Sequence, residues 1–289
     1  MDILSEKEIL ENIYGDFSHL EKLVMTVSTV RSASTAILRL FAESEFKCYS
    51  QPIKSIFRQL QLHKEGVGES TSWFISNNIQ SLFIKETLGP FNIYEATLNP
   101  INIIQSIIRR TESVRVKPAI VFLFRSPIAG LYSCLNTYDK FMKVTDPSRY
   151  WYHKISQEEV VMNYIYAYRH TYFLYNKYLY SDIYDVSKVI LTDSESTKEA
   201  IQTVFEDLNL KPGFDNWSDE SILDFGEERQ IVISKDHITQ KKAGILDAVN
   251  SSNSFLYPNR DLPPLESKYI MKLESYGINS IYDVLIQGD

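Results

Sequence analysis

Cysteine is scarce. The 289-residue chain holds two, Cys48 and Cys134, both in apolar surroundings. That argues against a disulfide framework, predicts buried free thiols and fits a reducing compartment. Long apolar runs are missing, so no membrane span of about 18 residues is expected. The first residues, MDILSEKEILENIYGDF, are acidic and lack an apolar core, so no signal peptide is expected and the chain reads as cytoplasmic. Positive charge is not in excess either. A net charge of −7 argues against broad binding to nucleic acid or an anionic membrane, yet leaves room for a local basic pocket. Metal-ligand spacings of His, Cys and carboxylates are missing, so no metal is expected. The Walker pattern G-x-x-x-x-G-K-[ST] is absent as well.

What is present is an ordinary apolar content of 44% and a high aromatic content of 13%, with 19 Tyr. A continuous apolar run with β-branched residues predicts a buried strand at Leu23–Thr29, and shorter strands are expected at Phe46–Tyr49, Ser81–Lys85, Ala119–Phe124 and Lys188–Leu191. Helical spacing predicts helices over residues 5–14, Ser34–Ser44, Pro100–Arg110, Pro127–Leu135, Glu158–Tyr180 and Ser196–Leu208. Closing helices are expected at Ser267–Tyr276 and Ser280–Ile286. Residues 53–80 read as helix, loop, helix, and residues 139–157 and 211–264 as mostly loop. Alternating strands and helices imply a single domain over residues 1–289 with a P-loop-like, three-layer α/β/α fold. Its central, mainly parallel sheet has about five strands. Ligands of such sheets bind outside the carboxyl ends of the strands.

Two strand–loop–helix segments stand out, LVMTVSTVRSASTAILRLF from Leu23 and AIVFLFRSPIAGLYSCL from Ala119. The first loop holds Ser28, Thr29, Arg31, Ser32, Ser34 and Thr35 around a predicted helix start. Unpaired amides, hydroxyls and a guanidinium there suit a phosphate-type anion. The same residues also suit a helix with a Ser/Thr cap and no ligand. The second loop opens with Arg125, and Ser133 follows eight residues on. Eight residues span just over two helical turns, so both side chains can face one group. Two anion sites, one per strand end, point to a nucleotide with two separate phosphates.

R-S-x-S-T after the first strand and F-R-x-P-x-x-x-x-x-S after a later one resemble the sulfotransferases that use 3′-phosphoadenosine 5′-phosphosulfate (PAPS). The resemblance covers roughly residues 20–210. SLFIKETLGP, from Ser81, is similar to that family's third strand, and KVILTDSESTKEAIQTVFEDLNL, from Lys188, to its later strand and helix. It implies that Arg31, Ser32, Ala33, Ser34 and Thr35 cradle the 5′-phosphosulfate, with Arg125 and Ser133 on the 3′-phosphate and Thr192 nearby. The product nucleotide would be adenosine 3′,5′-bisphosphate. The chain departs from the family at Ala33 for Gly, Ala36 for an aromatic, Ser126 for Asp, Thr192-Asp193-Ser194 for Tyr-Glu-Asp, and Thr87 for the catalytic His.

The chemistry implied is sulfuryl transfer to a hydroxyl or to an amine or guanidine nitrogen of a small molecule. Arg31 and Lys85 are expected to stabilise the charge that grows on the leaving phosphate. Glu86 and Thr87 stand nearest in sequence to the position of the base, and Glu86 serves only if the strand has ended before it. Tyr150, Trp151, Tyr152, His153 and His63 are candidates for the acceptor side, while Tyr164, Tyr168, Tyr172 and Tyr175 read mainly as a packed helix stripe. Lys235, Lys241 and Lys242 are the dense cations after residue 211, suited to a nucleotide or equally to a solvated helix face, with no motif match there. A natural-product tailoring step fits, with a guanidinium alkaloid of saxitoxin type as one acceptor, in a monomer or homodimer. Two rivals remain: a P-loop-type small-molecule kinase, with Thr35 and Asp193 as its Mg²⁺ pair, and a catalytically inactive nucleotide-binding module.

Overall fold

The computed structural model describes residues 5–15, 17–44, 46–66, 72–75, 79–111, 116–142, 155–179, 187–194, 196–210, 231–233 and 264–287. Strands β1 (Ile13–Gly15), β2 (Lys22–Thr29), β3 (Lys47–Ser50), β4 (Trp73–Ile75), β5 (Ser81–Leu88), β6 (Ala119–Phe124), β7 (Ser187–Leu191) and β8 (Ile231–Ile233) are interleaved with helices. These are α1 (Glu6–Leu10), α2 (Ser34–Glu43), α3 (Pro52–Lys64), α4 (Ile93–Ala96), α5 (Pro100–Arg110), α6 (Pro127–Met142), α7 (Gln157–Tyr178) and α8 (Thr197–Asp207). Helices α9 (Ser267–Ser275) and α10 (Ile278–Gln287) close the chain.

The main sheet has the order β7-β6-β2-β5-β3-β8, and every neighbouring pair is parallel. Five of its strands are those expected from the sequence. The sixth, β8, falls in the stretch expected as loop; three residues are too few to show a period. Two layers of helix cover the sheet, so its strands read as continuous apolar runs. On one face α2 and α8 pack against Val24, Phe83, Val121 and Leu123. Phe41 of α2 stacks on Phe83 at 4.4 Å and meets Phe205 of α8 at 4.8 Å. On the other face α3, α5 and α7 bury Met25, Val27, Ile84, Phe122 and Phe124. Tyr164, Tyr168 and Tyr175 lie buried in this second core, as a helix stripe should. Both cysteines are free and buried.

Four boundaries differ from expectation, the first being the helix expected over residues 5–14, which ends at Leu10 and gives way to strand β1 at Ile13–Gly15. The second helix expected within 53–80 is instead strand β4, paired with β1. Helix α6 continues to Met142, beyond Leu135. Strand β5 runs on to Leu88, because Glu86, Thr87 and Leu88 keep their register with Val27, Ser28 and Thr29 of β2. Among the described residues no helix is long and apolar enough to cross a membrane.

The topology sets the site. From β2 the chain leaves through α2 toward β3, on the β5 side of the sheet. From β6 it leaves through α6 and α7 toward β7, on the opposite side. Strands β2 and β6 are neighbours, so the crevice at their carboxyl ends is a topological switch point. The loops after these two strands carry Arg31 and Arg125.

Candidate functional site

The turn between β2 and α2 is wound by two non-glycine residues in the left-handed region, Arg31 (φ 70°) and Ala33 (φ 55°). Each costs on the order of 1–3 kcal/mol, and such strain gathers at ligand sites. Ala33 is the N-cap of α2 and supplies no side-chain cap, whereas Ser5, Asn92, Asn99 and Ser156 cap their helices with side-chain oxygens. The Ser/Thr cap considered from the sequence is therefore not what starts α2. Ser32 and Ser34 are buried in the turn, and Thr29 Oγ1 lies 3.4 Å from Ser32 Oγ.

The second loop meets the first. Arg31 Nε donates to Ser133 Oγ at 3.0 Å, and Arg125 Nη1 donates to the Arg31 carbonyl at 3.3 Å. Arg125 and Ser133 therefore each meet Arg31 at the switch point, one through its carbonyl and the other through its side chain. Thr192 behaves otherwise. Its amide donates to the Phe124 carbonyl at 2.8 Å and its hydroxyl to the same oxygen at 3.2 Å. That hydroxyl ties the end of β7 to the end of β6.

Lys85 lies one strand over, in register with Thr26 of β2. Its ammonium donates to Thr35 Oγ1 at 3.0 Å and to Ser50 Oγ at 3.3 Å. Burial and then the charge of Lys54 push it down to about 7; Glu86 opposes them and Arg31 adds to them. A lysine held there gives up its proton more readily than an exposed one, and an anion beside it would favour the charged form again.

Glu86 points to the other face, as a side chain one residue along a continuing strand must. Its carboxylate accepts the amides of Ile53 at 2.7 Å and Lys54 at 3.4 Å, at the start of α3. Burial lifts it to about 8, against the pull of those amides and of Lys54. Glu86 therefore serves a helix terminus, and its expected place as the base beside Lys85 is corrected. Thr87 is buried, and its hydroxyl accepts from Gln51 Nε2 and from Lys54 Nζ, the latter at 3.3 Å.

Behind Thr87 lies a buried ion cluster that the sequence reading missed. Lys54 Nζ pairs with Glu95 at 2.9 Å, and Arg58 grips the same carboxylate through two bonds of 2.9 and 2.7 Å. Arg58 also lies 4.5 Å from the Phe91 ring centroid. A signal existed: Lys54 and Arg58 stand four apart on a helix face otherwise made by Ile53, Ile56 and Phe57. Cations inside an apolar stripe require a buried partner. Ser50 and Gln51 were missed too, because their role depends on β3 lying beside β5.

The other expectations separate. His63 is exposed in the last turn of α3, which runs back from the carboxyl edge of the sheet. It stands about 16 Å along the helix from Pro52, on the far side from the cradle. The Thr35–Asp193 pair of the kinase reading is not assembled. Thr35 faces Lys85, while Asp193 follows β7, three strand spacings or about 14 Å from β5. Asp193 accepts the Ser126 amide at 2.9 Å and the Tyr282 hydroxyl at 2.7 Å. Tyr150, Trp151, Tyr152 and His153, and Lys235, Lys241 and Lys242, lie outside the described residues. No family model matches the chain, and no curated protein matches it either.

Proposed function

We propose that the chain is a PAPS-dependent sulfotransferase acting on a small-molecule acceptor. The observation that carries this reading is the hydrogen bond from Arg31 to Ser133, which joins two anion-binding loops across the switch point. A nucleotide with phosphates at both 5′ and 3′ positions matches two such loops better than a single polyphosphate chain does. In this reading Arg31, Ser32, Ser34 and Thr35 hold the 5′-phosphosulfate together with the first amides of α2. Arg125 and Ser133 hold the 3′-phosphate.

The transfer forms a bond from the acceptor nucleophile to sulfur and breaks the bond from sulfur to the oxygen shared with the 5′-phosphate. Negative charge grows on that oxygen as it leaves. Lys85 and Arg31 are the donors placed to meet it. Because Glu86 is committed to α3, the reading favours acceptors with little need of a protein base, such as an amine or guanidine nitrogen. A natural-product tailoring step of that kind remains the preferred setting.

Thermal melts test the reading. Adenosine 3′,5′-bisphosphate at a hundred times its Kd adds about 2.7 kcal/mol and raises Tm, while ATP with Mg²⁺ gives little. A melt unmoved by the bisphosphate at millimolar concentration overturns the proposal, and a shift with ATP and Mg²⁺ alone favours the kinase.

A further inference from the structure

One peptide group in the second loop is held at both ends. The Arg125 carbonyl accepts the hydroxyl of Tyr168, from α7, at 3.1 Å. The N–H of the same peptide, on Ser126, donates to Asp193 Oδ2 at 2.9 Å. The other oxygen of Asp193 accepts the hydroxyl of Tyr282, from α10, at 2.7 Å. Four elements therefore meet on the backbone of Arg125: the end of β6, the turn after β7, helix α7 and helix α10. The side chain so oriented donates to the Arg31 carbonyl of the first loop.

The chemistry of these bonds fits a fixed support. A carboxylate accepting a backbone amide makes a charge-assisted bond, about twice as strong as a neutral one. Its charge also sits at the start of α6, where the helix dipole favours it. The Ser126 amide is already taken and Pro127 has no N–H, so Arg125 is the charged group this loop offers an arriving anion.

We propose that Asp193, oriented by Tyr282, is a positioning residue for Arg125, so that helix α10 governs how well the protein distinguishes a nucleotide bearing a 3′-phosphate. The inference rests on the nucleotide reading above. It goes beyond it by assigning a role to the last helix and to a residue otherwise seen as a helix-end contact.

Titration calorimetry compares adenosine 3′,5′-bisphosphate with adenosine 5′-phosphate, which differs from it only in lacking the 3′-phosphate. The wild type should prefer the bisphosphate, and Arg125→Ala should abolish the preference. Tyr282→Phe and Asp193→Ala should each lower it by about tenfold, the scale seen when the support of a ligating side chain is removed. A merely structural role would weaken both ligands alike and leave their ratio unchanged. Tyr282→Phe removes one oxygen from a half-buried ring, so it keeps the test alive where Asp193→Ala fails to fold. If Arg125→Ala changes the ratio and neither of the other variants does, the role of Asp193 is overturned while the nucleotide reading stands. If the wild type binds neither ligand, both fall.

Discussion

Arg31 and Ser133 lie 102 residues apart in sequence and 3.0 Å apart in space, Nε to Oγ. The bond spans the crevice between β2 and β6 and fixes the separation of the two loops in the free protein. A 3′-phosphate binding at Arg125 and Ser133 would exchange this bond for one of its own. Ser133→Ala should therefore cost about 1 kcal/mol of affinity for adenosine 3′,5′-bisphosphate, near fivefold, as a neutral donor usually does. Arg125→Ala should cost about 2–3 kcal/mol, because a charged donor is lost. Calorimetric titration of both variants checks the order; an equal loss for the two would place the phosphate elsewhere.

Lys85 makes the same binding depend on pH. In the free protein burial and Lys54 hold it down to about 7. A phosphosulfate beside it favours the ammonium and raises it again. Above pH 7, ligand binding should then take up a proton, and affinity should fall as pH rises, by at most tenfold per unit. Calorimetry in two buffers of different ionisation enthalpy measures the uptake. Lys85→Met should bind more weakly and lose most of it; a variant that takes up as many protons as the wild type would remove Lys85 from the site.

Glu86 should act on stability and leave chemistry alone. Its folded value, near 8, lies above the ordinary 4.5. The folded protein thus keeps a proton that the unfolded chain gives up above pH 4.5. The resulting stability is present below pH 4.5 and is lost as pH rises toward 8. Glu86→Gln should flatten that part of the stability curve in chemical denaturation between pH 5 and 8. Turnover of an identified acceptor should keep the pH profile of the wild type, since the carboxylate caps α3. A variant that folds but loses turnover would restore Glu86 as the base.

Four of the central strands were legible because β2, β5, β6 and β7 hold apolar runs with Val, Ile or Thr, and such runs carry their own signal; β3, with the sequence KCYS, was the weakest of the five. The places of Arg31 and Arg125 after β2 and β6 were legible for a similar reason, since strand and following loop are local in sequence. What escaped reading was set by neighbours across the sheet. The end of β5 lies at Leu88 because β2 pairs that far, and Glu86 is tolerated because α3 begins beside it. Neither partner can be seen from SLFIKETLGP alone. Thr192 sat at the right place in the chain, yet its hydroxyl satisfies a strand carbonyl, a choice made by the β6–β7 pairing.

Glu95 holds two cations in a space that excludes water. Glu95→Ala should destabilise the protein by about 3–5 kcal/mol, because Lys54 and Arg58 would be left buried without their shared carboxylate. Urea unfolding reads the loss as a lower midpoint at unchanged slope. A change below about 1 kcal/mol would mean that water reaches the cluster.

Gly130 of α6 lies directly against the Tyr164 hydroxyl of α7. A Cβ at position 130 would fall well inside contact distance of the Tyr164 hydroxyl oxygen, and the ring behind that oxygen is fully buried. Among the described residues this buried hydroxyl has no hydrogen-bond partner. Removing it with Tyr164→Phe should be neutral or slightly stabilising, since an unsatisfied polar group is lost. Gly130→Ala should cost about 1–3 kcal/mol through overpacking, despite its better helix propensity. The two changes should not add. In the double variant the new methyl occupies the space the oxygen vacates, so Tyr164→Phe should recover most of the loss. Denaturation of the four proteins of this cycle measures the coupling. Additive costs would show that α6 yields around the methyl, and that Gly130 is present for a reason other than the approach of Tyr164.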